Sequence, residues 1–199
     1  ETAEKERATT EHRITESIQQ RMIPMELPKY PGLGLYASLV PSNGACGDLL
    51  DCLIRDDKLF FCIGNPVDKE AQTAVLAGMA WALFRNISYH EDTPEVIVNY
   101  INSALTMSGE KNIGVSLFVG ILDLKTWQLT YCNAGHDAPL VLQEEVEHLP
   151  VDENVPVGTR PNFEFTKQEM TLEKGTMLFL YTDGLAKAKN NHFKQYGKK

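Results

Sequence analysis

The strongest constraint on the fold is a series of eight short apolar or alternating runs, interrupted once by two long segments of helical pattern. LGLYASLV (33–40), DLLDCLI (48–54) and KLFFCIG (58–64) come first, separated by the turn-forming PSNG and RDDK. Short apolar runs between such turns read as consecutive antiparallel strands. AQTAVLAGMAWALFRNI (71–87) has helical length and is apolar on most faces, so it should be largely buried. Thr93 is an N-cap candidate with Pro94 at the first helical position, opening a second helix through Met107. Strands then resume at 115–123, 127–135, 138–143, 163–172 and 176–184. Strands, two helices and strands again predict an α+β domain. Several runs are apolar throughout, which predicts two stacked antiparallel sheets with helices on the outer faces.

Composition fits this reading. Of 199 residues, 43% are apolar and 23% charged, which excludes a disordered chain, a collagen-like one and a bare coiled coil. The formal net charge of −8 argues against a nucleic-acid binder, because phosphate-backbone binding needs a basic surface. Five lysines without an acid at 185–199 are a local exception and read as the edge of a truncated element. No apolar run reaches the ~18 residues of a membrane span. Cys46, Cys52, Cys62 and Cys132 form no C-x-x-C, so neither a disulfide framework nor a zinc knuckle is implied. A reducing, cytoplasmic setting is expected.

Residues 1–22 lack Gly and Pro, and Ile14, Ile18 and Met22 make a narrow stripe at i, i+4 spacing. Residues 1–24 are therefore expected to be a linker or signalling helix, ended by Pro24 and Pro28 and buried on its own domain or across a homodimer. The globular domain is expected over 25–199. The opening ETAEKERATTEHR reads as the middle of a longer polypeptide.

Polar residues at strand ends are the informative ones, since a rigid sheet can aim them. Asp48 and Asp51 flank the start of one run, Asn65 and Asp68 follow KLFFCIG, and Asp183 follows TMLFL. Converging carboxylates of this kind suit Mg²⁺ or Mn²⁺. An Asp before Gly at a strand end is more often only a turn residue. His136-Asp137 can be imagined as an acid/base pair, although a structural turn is the simpler reading. Glu144, Glu145 and Glu147 read as a solvated hairpin face.

Taken in order, these segments resemble the SpoIIE/RsbU-type branch of the PPM (metal-dependent) serine/threonine protein phosphatases. IQQRMIP (18–24) is similar to the family's I-Q-x-x-L-L-P, and ACGDLLD (45–51) to V-G-G-D-x-x-D. IGNPVDKEAQTA (63–74) stands where the family has I-G-D-V-S-G-K-G-V-P-A-A, and Thr93-Pro94-Glu95 before Asn102 follows its S-P-E…L-N. YCNAGHDAPL (131–140) resembles Y-x-N-A-G-H-x-P-P-L, and LFLYTDGLAKAKN (178–190) resembles L-x-L-Y-T-D-G-L-x-E-A-x-N. The resemblance implies an α/β/β/α sandwich and two Mn²⁺ or Mg²⁺ ions that activate water against phosphoserine or phosphothreonine. It further implies a cytoplasmic output domain behind a sensor, which could be membrane-anchored, acting on a STAS-type anti-sigma-factor antagonist.

The departures fall on the implied metal site. Asn65 replaces the bridging aspartate, Asp68 and Glu70 replace glycines, Ala71-Gln72 replaces Val-Pro, Cys46 stands at a Gly of G-G-D, and Lys187 replaces the acid of T-D-G-x-x-E. The family's final metal-binding aspartate would fall beyond Lys199. Asp48 and Asp183 remain as candidate ligands, with Asp68 as a substitute. Two dications ~4 Å apart repel by ~4 kcal/mol even at the dielectric of water, and by more in a drier site. Asn65 offers no charge to offset that. The expectation is a pseudophosphatase binding one ion weakly or none, and engaging a phosphoprotein or regulatory partner. The rival expectation is an active Mn/Mg-dependent phosphoserine phosphatase.

Overall fold

A computed structural model describes residues 26–40, 47–67, 71–107, 114–190, 192, 194, 195 and 197. The expected helix at 1–24, together with Cys46, Asp68 and Glu70, lies outside them. The larger sheet contains β1 (Leu49–Arg55), β2 (Lys58–Pro66), β3 (Val115–Asp123), β4 (Gln128–Ala134) and β7 (Gln168–Thr171), in the order β1-β2-β3-β4-β7. A smaller sheet is ordered β6-β5-β8, from β5 (Leu140–Leu142), β6 (Val146–His148) and β8 (Met177–Phe179). All pairings are antiparallel.

Strand periodicity sorts the larger sheet into two faces. Leu49, Leu53, Phe60, Cys62, Leu117, Val119 and Cys132 face α1 (Ala71–Ile87) and α2 (Pro94–Thr106). Each helix offers that face a stripe at helical spacing, Ala77, Ala80 and Phe84 on α1 and Ile97, Ile101 and Leu105 on α2. The opposite face sends Leu59, Phe118, Leu122, Leu129 and Tyr131 toward Val141 and Leu178 of the smaller sheet. Phe118 stacks on Tyr131 with ring centroids 5.6 Å apart. The two sheets thus form the expected sandwich, with a helical layer outside the larger one.

Three expected boundaries are corrected. Residues 33–40 keep their alternation, with Leu35 packed on the inter-sheet core and Tyr36 exposed, but among the described residues they join no ladder beyond an isolated Tyr30–Leu33 bridge. Apolar alternation reports a half-buried extended chain, and a hydrogen-bonded neighbour is a separate requirement. The run 163–172 is strand only over Gln168–Thr171; just before it the Phe165 N–H donates to Asn99 Oδ1 and the Thr166 hydroxyl to Asp152 Oδ2, side-chain partners in place of a ladder neighbour. The run 176–184 stops at Phe179, and Asp183 opens a short helix, α3 (Asp183–Lys187), with Thr182 at its N-cap.

Candidate functional site

Register aims the candidate residues. Asn65 lies two residues beyond Ile63 and four beyond Phe61 on the inter-sheet face of β2, at the strand's end, and is paired with Ser116 of β3. Asp48 precedes Leu49, whose partner is Gly64, so it reaches the same end of the sheet. Gly47 lies against Pro66, and a Cβ on it would sit 2.5 Å from that ring. Its φ of +71° also favours glycine at this turn.

Asp51 goes the other way. It shares its face with Leu49 and Leu53, so its fully buried carboxylate meets Arg85 of α1 at 3.3 Å rather than the site. Burial raises its pKa, while Arg85 and the Cys52 N–H pull it back down. The expected convergence of carboxylates therefore does not include Asp51. Burial also pushes the Cys52 thiol up to about 11 and that of Cys132 to about 12, so these are inert core groups.

Residues 181–183, which lead from β8 into α3, each bond across to the larger sheet or to the segments flanking its strands. The Tyr181 carbonyl meets His136 Nε2 at 3.1 Å, the Thr182 hydroxyl donates to Asp48 Oδ2 at 2.7 Å, and Asn65 Nδ2 donates to Asp183 Oδ1 at 3.3 Å. Asn65 is oriented for this by Ser116, whose hydroxyl lies 2.6 Å from Asn65 Oδ1 and 3.0 Å from His136 Nδ1. A carbonyl can only accept, which places a proton on His136 Nε2. The turn carrying His136 is closed by Asn133, which donates to the His136 carbonyl and accepts from its N–H. These contacts give His136 a structural role. The other oxygen of Asp183, Oδ2, is engaged by the ammonium of Lys187, one helical turn along α3.

Asn65, Ser116, Asp137 and Asp183 line a cleft of about 250 Å³, closed on one side by Pro156 and Gly135. Buried Asn102 of α2 anchors the segment behind Pro156, accepting from the Gly158 N–H and donating to the Arg160 carbonyl. Asn65 and Lys187 thus both contact Asp183, and Thr182 ties Asp48 to the same segment. Ser116 and Thr182 are the additional site residues. The one signal for Ser116 is a hydroxyl at the start of an otherwise apolar strand.

The profile of stage II sporulation protein E matches residues 55–199. The chain belongs to the SpoIIE family. This SpoIIE-family chain is 28% identical over 202 residues to protein IcfG of Synechocystis sp., covering 87% of the chain and 32% of IcfG. It is 19% identical over 186 residues to the phosphoserine phosphatase RsbU of Bacillus subtilis, covering 92% of the chain and 55% of RsbU. It therefore spans only about a third to a half of these curated relatives. The RsbU and RsbW domains of Rv1364c from Mycobacterium tuberculosis superpose with a TM-score of 0.65 at 23% identity, over 75% of this chain and 42% of that one. The PP2C phosphatase domain of SpoIIE from Bacillus subtilis superposes with a TM-score of 0.62 at 19% identity, over 71% of this chain and 42% of that one, so the chain shares the PP2C-type fold.

The metal pair that the family resemblance implies does not fit the residues described. Among them, no group of three or more His, Cys, Asp or Glu is placed to hold an ion. At the bridging position Asn65 is neutral and directs its N–H₂ at Asp183.

Proposed function

We propose that this domain is an output module of a bacterial signalling protein that keeps the PP2C-type architecture while its phosphatase chemistry is impaired. On this reading it is a pseudophosphatase whose surface engages a phosphoprotein or another regulatory partner, a STAS-type anti-sigma-factor antagonist being the class the resemblance suggests. The observation that carries the proposal is the state of Asp183, both of whose oxygens are engaged by protein donors, Asn65 and Lys187. A carboxylate so occupied has less charge to offer a Mn²⁺ or Mg²⁺ ion, which leaves at most a single weakly held one on Asp48 and Asp183, with Asp68 as a substitute ligand. The proposal also places the domain in the cytoplasm behind a sensor, dimerising through the 1–24 helix.

The second reading is an active Mn/Mg-dependent phosphoserine phosphatase. Retention of Asp48 and Asp183 beside an open cleft favours it. Hydrolysis of a phosphoserine peptide with Mn²⁺ separates the two. Negligible turnover is expected, whereas Mn²⁺-dependent turnover that is lost on Asp48→Ala overturns the pseudophosphatase reading in favour of the second.

A further inference from the structure

The contacts around Asp183 carry more than a loss of function. In a sandwich whose site lies at the ends of two sheets, something must draw those ends together against the repulsion of the acids gathered there. Asp48 and Asn65 belong to the end of the larger sheet, and Asp183 to the segment following the smaller one. Asp137 adds another acid to the cleft wall. Among the described residues, the cation that meets Asp183 is Lys187, a side chain of this same chain.

We infer that Lys187 and Asn65 together form a built-in substitute for a bound cation, closing the two sheets at Asp183 without metal. This rests on the reading of an impaired phosphatase and deepens it: the site is occupied from within rather than merely depleted. Lys187 supplies the positive charge on one carboxylate oxygen, and Asn65 supplies the cross-sheet donor on the other. Ser116 fixes the direction of the amide by occupying the Asn65 carbonyl oxygen at 2.6 Å, which turns the N–H₂ toward Asp183. A carboxylate at position 65 would instead face Asp183 with like charge and require a cation between them. The two departures therefore work as a pair. Restoring one without the other gives either two facing carboxylates beside a competing ammonium, or an open position beside a neutral amide.

Calorimetric titration of the full chain with Mn²⁺ alone tests this, using wild type, Asn65→Asp, Lys187→Glu and the double variant. The double variant is expected to bind at least about tenfold more tightly than either single variant, with a gain exceeding the product of the two single effects. Thermal melting in EDTA gives a readout independent of metal. Lys187→Gln is expected to lower the melting temperature by about 1–3 °C. It also serves as the second titration variant should the double variant not fold, its Mn²⁺ affinity then being expected to exceed that of wild type. If Asn65→Asp alone binds Mn²⁺ as tightly as the double variant, or Lys187→Gln changes neither melting nor Mn²⁺ binding, the internal substitute is overturned. Those outcomes leave the pseudophosphatase reading standing. That reading falls instead if wild type hydrolyses phosphoserine.

Discussion

Replacing Ser116 by Ala removes one oxygen and almost no volume, yet it should cost stability well beyond what an ordinary serine costs. Ser116 and His136 are only 8% and 6% exposed, and the hydroxyl lies 3.0 Å from His136 Nδ1 and 2.6 Å from Asn65 Oδ1. Losing a buried partner costs about 1–3 kcal/mol, because the group left behind was desolvated on folding. The His136 side of the bridge has that environment. Asn65 lines the open cleft, where water can replace the lost contact, so its share should be a few tenths. Together these give about 2 kcal/mol, or about 4–8 °C in melting temperature for a chain of this size. Urea denaturation at neutral pH measures it, with Ser103→Ala as control. Among the described residues the Ser103 hydroxyl bonds back to the Asn99 carbonyl on an exposed helical face, so its loss should stay within about 0.5 kcal/mol. If Ser116→Ala matches that control, the bridge does not hold Asn65 and His136 in place and the account of the site's geometry is wrong.

Two further outcomes are expected. Gly64→Ala would place a Cβ 2.4 Å from the Ser116 carbonyl oxygen, forcing β2 and β3 apart beside Asn65. It should cost about 1–3 kcal/mol by denaturation, whereas Gly34→Ala, with nothing within 4 Å, should be near neutral. Asp51 has a folded pKa raised by burial above its ordinary 3.8, so the folded state holds its proton more firmly than the unfolded chain does. Its favourable contribution is complete below that ordinary value and is lost as pH rises through the folded value. Wild type should therefore lose stability relative to Asp51→Asn as pH is raised from about 4, and a pH-independent difference between the two would refute the assignment.

Much of the fold was legible because it depends on local pattern. The α1 boundaries follow from composition and length, and the α2 start follows from Thr93-Pro94. The segment 33–40 reads as a strand but is not one, because alternation records which side is buried, not whether a neighbour supplies hydrogen bonds. Asp48, Asn65, Asp183 and Lys187 were visible as a broken version of a familiar pattern. Ser116 and Thr182 were not, because their importance arises from bonds to residues 20 to 134 positions away. The direction of Asp51 could have been read from strand parity, since it is three residues from Asp48 and so lies on the opposite face.

The three bonds made by residues 181–183 also bear on when the domain becomes complete during synthesis. Their partners lie 45, 134 and 118 residues earlier in the chain. By contrast, β1–β2 and β3–β4 are neighbouring antiparallel pairs joined by short turns. Nearby pairings form first and distant ones last, because closing a long loop costs entropy before any contact repays it. A nascent chain that has cleared the ribosome only as far as β7 should thus possess most of its larger sheet while its cleft is still unclosed. The cleft thus matures later than the larger sheet, and a chain released before Tyr181 should present the sheet ends around Asp48 and Asn65 to any chaperone or protease waiting there.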